Sequence, residues 1–306
     1  MENEKLDDRL NLFELFGILW TSKFIIISIT SAISLLALIY SLLLPNIYTS
    51  KTILAPQGSS DNITSTLGQL SSIAAFGGIS LPADSATISQ EAIKRITSYS
   101  FFSEYFLPNI KLENIMAVES WDPKNDLIIY DASDFNAEKG IWIRNVKFPK
   151  TVIPSNQEAF RIYQDIVKIS EDKDTSFVSL SVDHVSPKIA KKWAEIIINE
   201  INSSMQNRDR KRAESSIEFL NDYSKSNNLQ ALQDAISNLL EIEMQTLMLT
   251  SANESYVYKV IDYPIVPEIK SKPDRPLILI AGMLFGFLIS LTLVLFRHYG
   301  QRQQTY

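Results

Sequence analysis

The 306 residues contain no cysteine. That excludes disulfides, thiolate metal sites and cysteine nucleophiles; it fits an exported domain without requiring one. Histidine is nearly as scarce. His184 and His298 are the 2 present, so a multi-histidine metal centre is excluded as well. The sequence holds neither a GxxxxGK[ST] phosphate loop nor a G-x-S-x-G nucleophile turn. Basic charge is not in excess: 29 Lys+Arg stand against 35 Asp+Glu, a net charge of −6, which argues against a nucleic-acid partner. No motif calls for a cofactor.

What the chain does have is two long uncharged runs, Phe24–Leu44 and Leu277–Phe296. At about 1.5 Å per residue, each covers the roughly 30 Å of a bilayer's hydrocarbon as a helix. All but five residues of each charge sign fall between them. The reading is therefore a tail at 1–23, a span at 24–44, one large domain at 45–276, a second span at 277–296 and a tail at 297–306. The first run is longer than a signal-peptide core, and LPNIYTS after it offers no small-residue cleavage site, so it reads as an uncleaved anchor. Before it, Leu10 to Trp20 is apolar and helix-compatible, as in an interfacial helix. Two spans put both tails on one side. Arg9, Lys23, Arg297 and Arg302 on that side balance Lys51, Lys270, Lys272 and Arg275 on the other, so the positive-inside rule does not choose an orientation.

The leader into the second run, YPIVPEIKSKPDRP, carries Pro264, Pro267, Pro273 and Pro276, with Arg275 between the last two. Prolines remove backbone donors and restrict the residue before them, so the leader reads as a stiff extended strap. Beyond it, Gly282 and Gly286 form GxxxG. Ser28/Ala32, Thr30/Ser34 and Ala37/Ser41 place small residues four apart in the first run. Such spacing lets helices approach closely, here the other span, a sister subunit or a partner.

Between the runs, IYTSKTILAP reads as a strand and the Ser/Gly/Ala-rich stretch Gln57–Asp84 as a segment without long helix. An amphipathic helix is expected from Ser85, with Ile88, Ala92, Ile93 and Ile96 on one face. Lys111–Pro154 shows only short strand candidates at Leu127–Tyr130 and Ile141–Ile143. Its Asp122, Asp126, Asp131 and Asp134 lack the glycine and glutamate of a calcium loop and read as solvated. Asn156–Ile169 is expected as helix and Thr175–His184 as a strand. From Pro187 a long helix follows. It shows a core face through Ile189, Trp193, Ile196, Ile197 and Ile201, then a polar stretch, NSSMQNRDRKRAES, with little stripe. There the helix is expected to leave the domain body as an arm (about 187–250), into solvent or along a neighbouring subunit. Arg208, Arg210, Lys211 and Arg212 on it are candidate contacts to an adjacent protomer; a solvated face is the plainer reading. Leu229–Thr250 returns as helix and Tyr256–Ile261 as a strand. The first and last strands are expected in one mixed sheet. The fold class is α+β: two transmembrane helices flank an α/β base domain with a long protruding helical arm.

Three stretches resemble the Wzz-type chain-length determinants, the polysaccharide co-polymerases without a kinase domain. They are LNLFELFGILWTSKFIIIS with LPNIYTSKTILAP; the strand-then-helix block from FRIYQDIVKIS to AEIIINEIN; and the block from LQDAISNLL through YVYKVIDYPIVPEIKSKPDRP into the second span. Tyr263 and Asp274 depart from the usual pattern, which sets a proline and a basic residue there. The resemblance implies a bacterial inner-membrane protein with both termini cytoplasmic and its main domain periplasmic. It implies a homo-oligomeric ring in the lipid bilayer that acts with a membrane polysaccharide polymerase on a growing polysaccharide chain such as lipopolysaccharide O-antigen. It implies no cofactor and no catalysis.

Two other functional classes share parts of this pattern. A two-span periplasmic ligand-sensing module shares the topology, but tails of this length hold no output domain. A hydrolase would have to rest on Asp183-His184, whose side chains point to opposite faces at a strand end. Trp121, Trp142 and Trp193 read as core rather than as sugar platforms.

Overall fold

The computed structural model describes residues 19–57, 85–226, 230–252 and 255–302. In chain order the main elements are α1 (Lys23–Leu43), β1 (Tyr48–Pro56), α2 (Ser85–Ile96), β2 (Val118–Asp122), β3 (Leu127–Tyr130), β4 (Phe135–Asn136), β5 (Ile141–Trp142), α3 (Asn156–Ile166), β6 (Val167–Glu171), β7 (Val178–His184), α4 (Pro187–Ser226), α5 (Gln230–Ala252), β8 (Tyr258–Asp262) and α6 (Arg275–Arg302). They fall into two units. One comprises Met1–Asn46 with Ser271–Tyr306, the other Ile47–Lys270. Residues 1–18 of the expected N-terminal tail, and 58–84 of the Ser/Gly/Ala-rich stretch, lie outside the described residues.

The first unit is a pair of packed helices, each long and apolar enough to cross a membrane over Lys23–Leu43 and Arg275–Arg297. The second helix begins earlier than the proline pattern suggests. Pro276 lies in its first turn and not in the extended leader, because a proline there gives up only an N–H that has no helical partner. Asp274 caps this end. Its carboxylate Oδ1 accepts the Leu277 N–H at 3.4 Å, and its carbonyl accepts the Ile278 N–H at 3.1 Å. An acidic residue suits the positive end of a helix dipole, which gives the departure at Asp274 a physical role.

The second unit is built on a four-stranded sheet in the order β6-β7-β1-β8. Every pairing in it is antiparallel, so the expected mixed sheet is corrected. The reason is topological: β1 leads away from the first span and β8 leads back to the second, so adjacent placement makes them run oppositely. Leu54, Val178, Leu180 and Val182 are fully buried on one face of the sheet. The first half of α4, α3 and the short helical turns Tyr99–Phe101, Phe102–Phe106 (a π-turn) and Leu107–Asn109 contribute the rest of the core. At its centre, the ring of Tyr163 lies 5.0 Å from Phe102 and 4.9 Å from Phe106, and Phe106 meets Trp193 edge-on at 5.6 Å. Burying each such ring contributes on the order of 2–3 kcal/mol.

Two local readings are corrected. The helix expected over Asn156–Ile169 ends at Ile166, and Val167–Glu171 is strand β6, paired with β7 from Val167↔Val182 to Glu171↔Val178. Val167 and Ile169 continue the helical phase but alternate inward as well; sheet pairing decides between the two. Within Lys111–Pro154, Val118–Asp122 is a further strand and pairs with Leu127–Tyr130 as a hairpin.

Helix α4 has 40 residues, about 60 Å. Its second half packs against α5. Hydrogen bonds near both ends fix an antiparallel hairpin. Gln233 Nε2 donates to the Ser224 carbonyl at 3.1 Å near the tip, and Gln206 Nε2 donates to the Thr250 carbonyl at 2.6 Å near the base. The polar stretch of α4 is therefore not left without packing. Met205 and Ala213 are fully buried, and Asn202 and Ser204 are nearly so. Small and hydrogen-bonding side chains make the seam that an apolar stripe makes elsewhere.

Candidate functional site

Three places carry the residues singled out by the sequence. The first is the strap that follows β8. It lies along β1, and the β1 side chains hold it: Thr52 Oγ1 donates to the Asp262 carbonyl at 2.6 Å, and Ser50 Oγ donates to the Ile265 carbonyl at 2.8 Å. Ser50 and Thr52 share the inward face of β1 with Leu54, so the alternation that buries the strand also aims two hydroxyls at the strap. Pro264 is buried and Pro267 and Pro273 are half-buried. A proline in such a strap removes a donor for which the sheet has no acceptor. Arg275, in the helical-pair unit, donates from Nη2 to Asn46 Oδ1 at 3.3 Å, linking the start of α6 to the residues just after α1.

The second place is the contact between α1 and α6. A Cβ built on Gly282 would lie 2.5 Å from Ala37 Cβ. One on Gly286 would lie 3.1 Å from Ile33 Cβ and 3.3 Å from Thr30 Cα. Both glycines therefore sit in close contact with the partner helix, and Thr30, Ile33 and Ala37 form the facing stripe at helical spacing. Ser41 and Ser290 are buried on the same two helices. Of the small pairs in the first run, Ala37/Ser41 lies in this contact, whereas Ser28 and Ala32 are exposed.

The third place is the base of the arm, where α2, α4 and β8 meet. Asn202 Oδ1 accepts the N–H groups of Val257 and Tyr258 at 2.8 and 2.9 Å, and its Nδ2 donates to the Tyr258 carbonyl at 3.1 Å. The Tyr258 hydroxyl donates to the Ser89 carbonyl at 2.8 Å, and burial pushes its pKa up to about 12. Beside them Arg208 pairs with Glu91 and Asp209, and the Tyr256 hydroxyl donates to Asp209 Oδ2 at 2.9 Å. Burial alone would raise the Glu91 carboxyl, but the bonds from Arg208 and Arg95 hold it below its ordinary value. Arg208 is thus engaged within its own chain. Arg210, Lys211 and Arg212 are exposed.

Sequence reasoning missed Asn202, Glu91, Asp209 and Tyr256. Only Asn202 left a signal: it stands four residues after buried Ile198, a polar residue in the phase of an apolar stripe.

The remaining candidates hold structure. Asp183 Oδ1 accepts the Thr49 hydroxyl at 2.6 Å. His184 is buried; its Nδ1 accepts the Ser186 N–H at 2.9 Å, which leaves Nε2 to donate to the Asn114 carbonyl at 2.9 Å. Both ring nitrogens hold backbone groups, so neither is placed to take a proton from a substrate. Trp193 is buried against His184; Trp121 meets Tyr48 edge-on at 5.6 Å, and Trp142 packs on Phe135 at 5.1 Å. The acidic residues of the loop make local bonds: Asp122 with the Lys124 N–H and Asn125, Asp126 with Trp121 and Lys188, Asp131 with Ser133. Among the described residues no cluster of three or more metal-ligating side chains occurs.

Comparison with known proteins adds the following. Residues 8–107 match the Wzz family, "Chain length determinant protein", and residues 227–299 match "G-rich domain on putative tyrosine kinase". No curated protein sequence matches the chain. Among solved structures, a full-length bacterial polysaccharide co-polymerase is similar at 14% identity and a TM-score of 0.38, over 95% of this chain and 99% of that one. A fragment of WzzB, a polysaccharide co-polymerase from Salmonella Typhimurium, is similar at 12% identity and a TM-score of 0.32, over 74% of this chain and 100% of the fragment. The first match spans α1, β1, α2 and the short helical turns from Tyr99 to Phe106, about a third of the chain.

Proposed function

We propose that this chain sets polysaccharide chain length as a non-catalytic homo-oligomeric scaffold in the bacterial inner membrane. In this reading residues 24–44 and 277–296 span the bilayer, 1–23 and 297–306 lie in the cytoplasm, and 45–276 form a periplasmic domain. The scaffold works with a membrane polymerase on a growing polysaccharide chain, for which we assign lipopolysaccharide O-antigen. The chain length determinant domain at residues 8–107 is the observation that carries the reading.

The physical picture is consistent with it. The α4–α5 hairpin gives each protomer a long lateral surface, and exposed Arg210, Lys211 and Arg212 on it are available to acidic positions of a neighbouring arm. The imidazole of His184 is committed to backbone partners. Pro264, Pro267, Pro273, Arg275 and Pro276 hold the return path to the second span, and Gly282 and Gly286 hold the spans together.

The test is a strain that lacks the gene, complemented with this chain. Surface polysaccharide on a gel should regain a clustered length distribution. An unregulated ladder despite full expression would overturn the proposal.

A further inference from the structure

The second unit exposes large apolar side chains at one end of its sheet, the end where the chain passes to and from the two apolar helices. That end is identified by Tyr48, the first residue of β1, which pairs with His184, the last of β7. The β2–β3 hairpin is fixed there, with Trp121 edge-on to Tyr48 and Asp126 paired to Lys188 at the start of α4. The strap runs toward the same end, since its Asp262 carbonyl is held at Thr52 and its Ile265 carbonyl at Ser50. Leu127 on the hairpin is 61% exposed, and Tyr263, Ile265 and Ile269 on the strap are 71%, 67% and 81% exposed. Ile129 is also exposed. A concentration of uncovered apolar groups of this kind marks a surface with a partner.

We infer that these side chains of the hairpin and strap rest in the lipid interface, as a third membrane contact besides the two spans. The inference rests on the reading of α1 and α6 as spans. Chain length argues for lipid as the occupant. Tyr48 follows Leu43, the end of α1, by five residues, and Ile269 precedes Arg275, the start of α6, by six. Extended chain covers at most about 3.5 Å per residue, so these two positions lie within roughly 20 Å of the helix ends that meet the headgroups. The polar zone on each face of the hydrocarbon is itself several ångströms deep, and apolar side chains of interfacial segments enter it by about 5–10 Å. The contact is apolar, and the charges that flank it in sequence are of both signs, Asp122, Asp126, Asp262, Glu268 and Asp274 against Lys124, Lys270, Lys272 and Arg275, so it needs neither anionic lipid nor low salt.

The absence of native cysteine makes the test direct. Full-length single-cysteine variants Ile269→Cys, Leu36→Cys in α1 and Asn238→Cys on α5 are labelled with an environment-sensitive fluorophore in phosphatidylcholine vesicles. They are then exposed to a lipid-borne quencher or to aqueous iodide. Leu36 should be quenched from lipid only and Asn238 should show no lipid quenching. Ile269 should reach at least half the lipid quenching of Leu36, unchanged at 0.5 M salt (roughly a 4 Å Debye length). Ile269 that lipid does not quench while Leu36 is quenched overturns the inference and leaves the spans standing. In that case iodide access means open water, and iodide exclusion means that protein, such as a second copy, covers the surface. Loss of lipid quenching at Leu36 as well overturns both readings.

Discussion

The side-chain amide of Asn202 holds the backbone of Tyr258 on both sides, accepting its N–H at 2.9 Å and donating to its carbonyl at 3.1 Å. In the manner of a neighbouring strand it satisfies groups that β8 would otherwise bury unpaired, and so joins the long helix to the strand that returns the chain to the second span. Asn202→Leu keeps the approximate volume and removes both functions. It should destabilise the second unit by about 2–3 kcal/mol, read as a lowered Tm of the purified full chain in detergent. Asn202→Asp keeps the acceptor and loses the donor, and should fall between the two.

Arg144 is nearly buried and pairs with Glu158 at 2.7 Å, while its other N–H groups donate to the Val152 and Thr151 carbonyls at 2.8 and 2.7 Å. This single side chain fixes the loop that connects β5 to α3. The guanidinium holds the Glu158 carboxyl below its ordinary range. Arg144→Met leaves Glu158 without its partner and should cost about 3 kcal/mol or more. Adding Glu158→Leu should recover part of that loss, as thermal unfolding of the single and double variants would show.

His184 gives the domain an acid-side sensitivity. Burial lowers its pKa below the ordinary 6.5, against the opposing pull of its bonds to Asn114 and Ser186. The unfolded chain therefore binds a proton more readily than the folded one. Stability is fully present above about pH 6.5 and declines as the pH falls below it. A Tm–pH profile should bend downward on that side, and His184→Gln should flatten the bend.

Gly282 and Gly286 differ in the room they leave, and the difference orders their variants. Gly282→Ala places a methyl 2.5 Å from Ala37 Cβ, where the helices must separate; Gly286→Ala meets Ile33 at 3.1 Å, which a small adjustment accommodates. Thermal inactivation of the full chain in detergent should therefore show the larger loss for Gly282→Ala.

The proposed contact between arms has its own test. Arg210→Glu with Arg212→Glu should shift the oligomer size by native mass spectrometry. Arg208→Glu should also loosen the arm base within the protomer, because Arg208 pairs with Glu91. An unchanged oligomer in the first variant would remove the contact from the account.

Much of the fold was legible because its elements are long and strongly patterned. The two uncharged runs, the alternation of TSFVSLSVDH and the Ile189–Ile201 stripe each carry one dominant period. The failures occur where the period is ambiguous or the packing is polar. Val167–Glu171 is too short to announce itself as a strand after a helix whose phase it continues. The middle of α4 looked uncovered because Asn202, Gln206 and Asp209 pack through hydrogen bonds, which hydropathy does not register. Pro276 misled in the opposite sense, as a helix breaker that stands where helices accept one. The arm-base network is assembled from residues 91, 202, 208, 209, 256 and 258, a set that no local window spans.

The central claim is that this chain sets polysaccharide length without cutting or building glycan itself. Its most direct test is reconstitution: purified full-length chain is placed in vesicles with a membrane polymerase and lipid-linked repeat units, and product lengths are resolved on a gel. The expected result is a distribution gathered around a preferred length, with total sugar incorporation unchanged and preformed polymer left intact. A ladder identical to that of the polymerase alone, or shortening of preformed polymer by this chain without polymerase, would contradict the account.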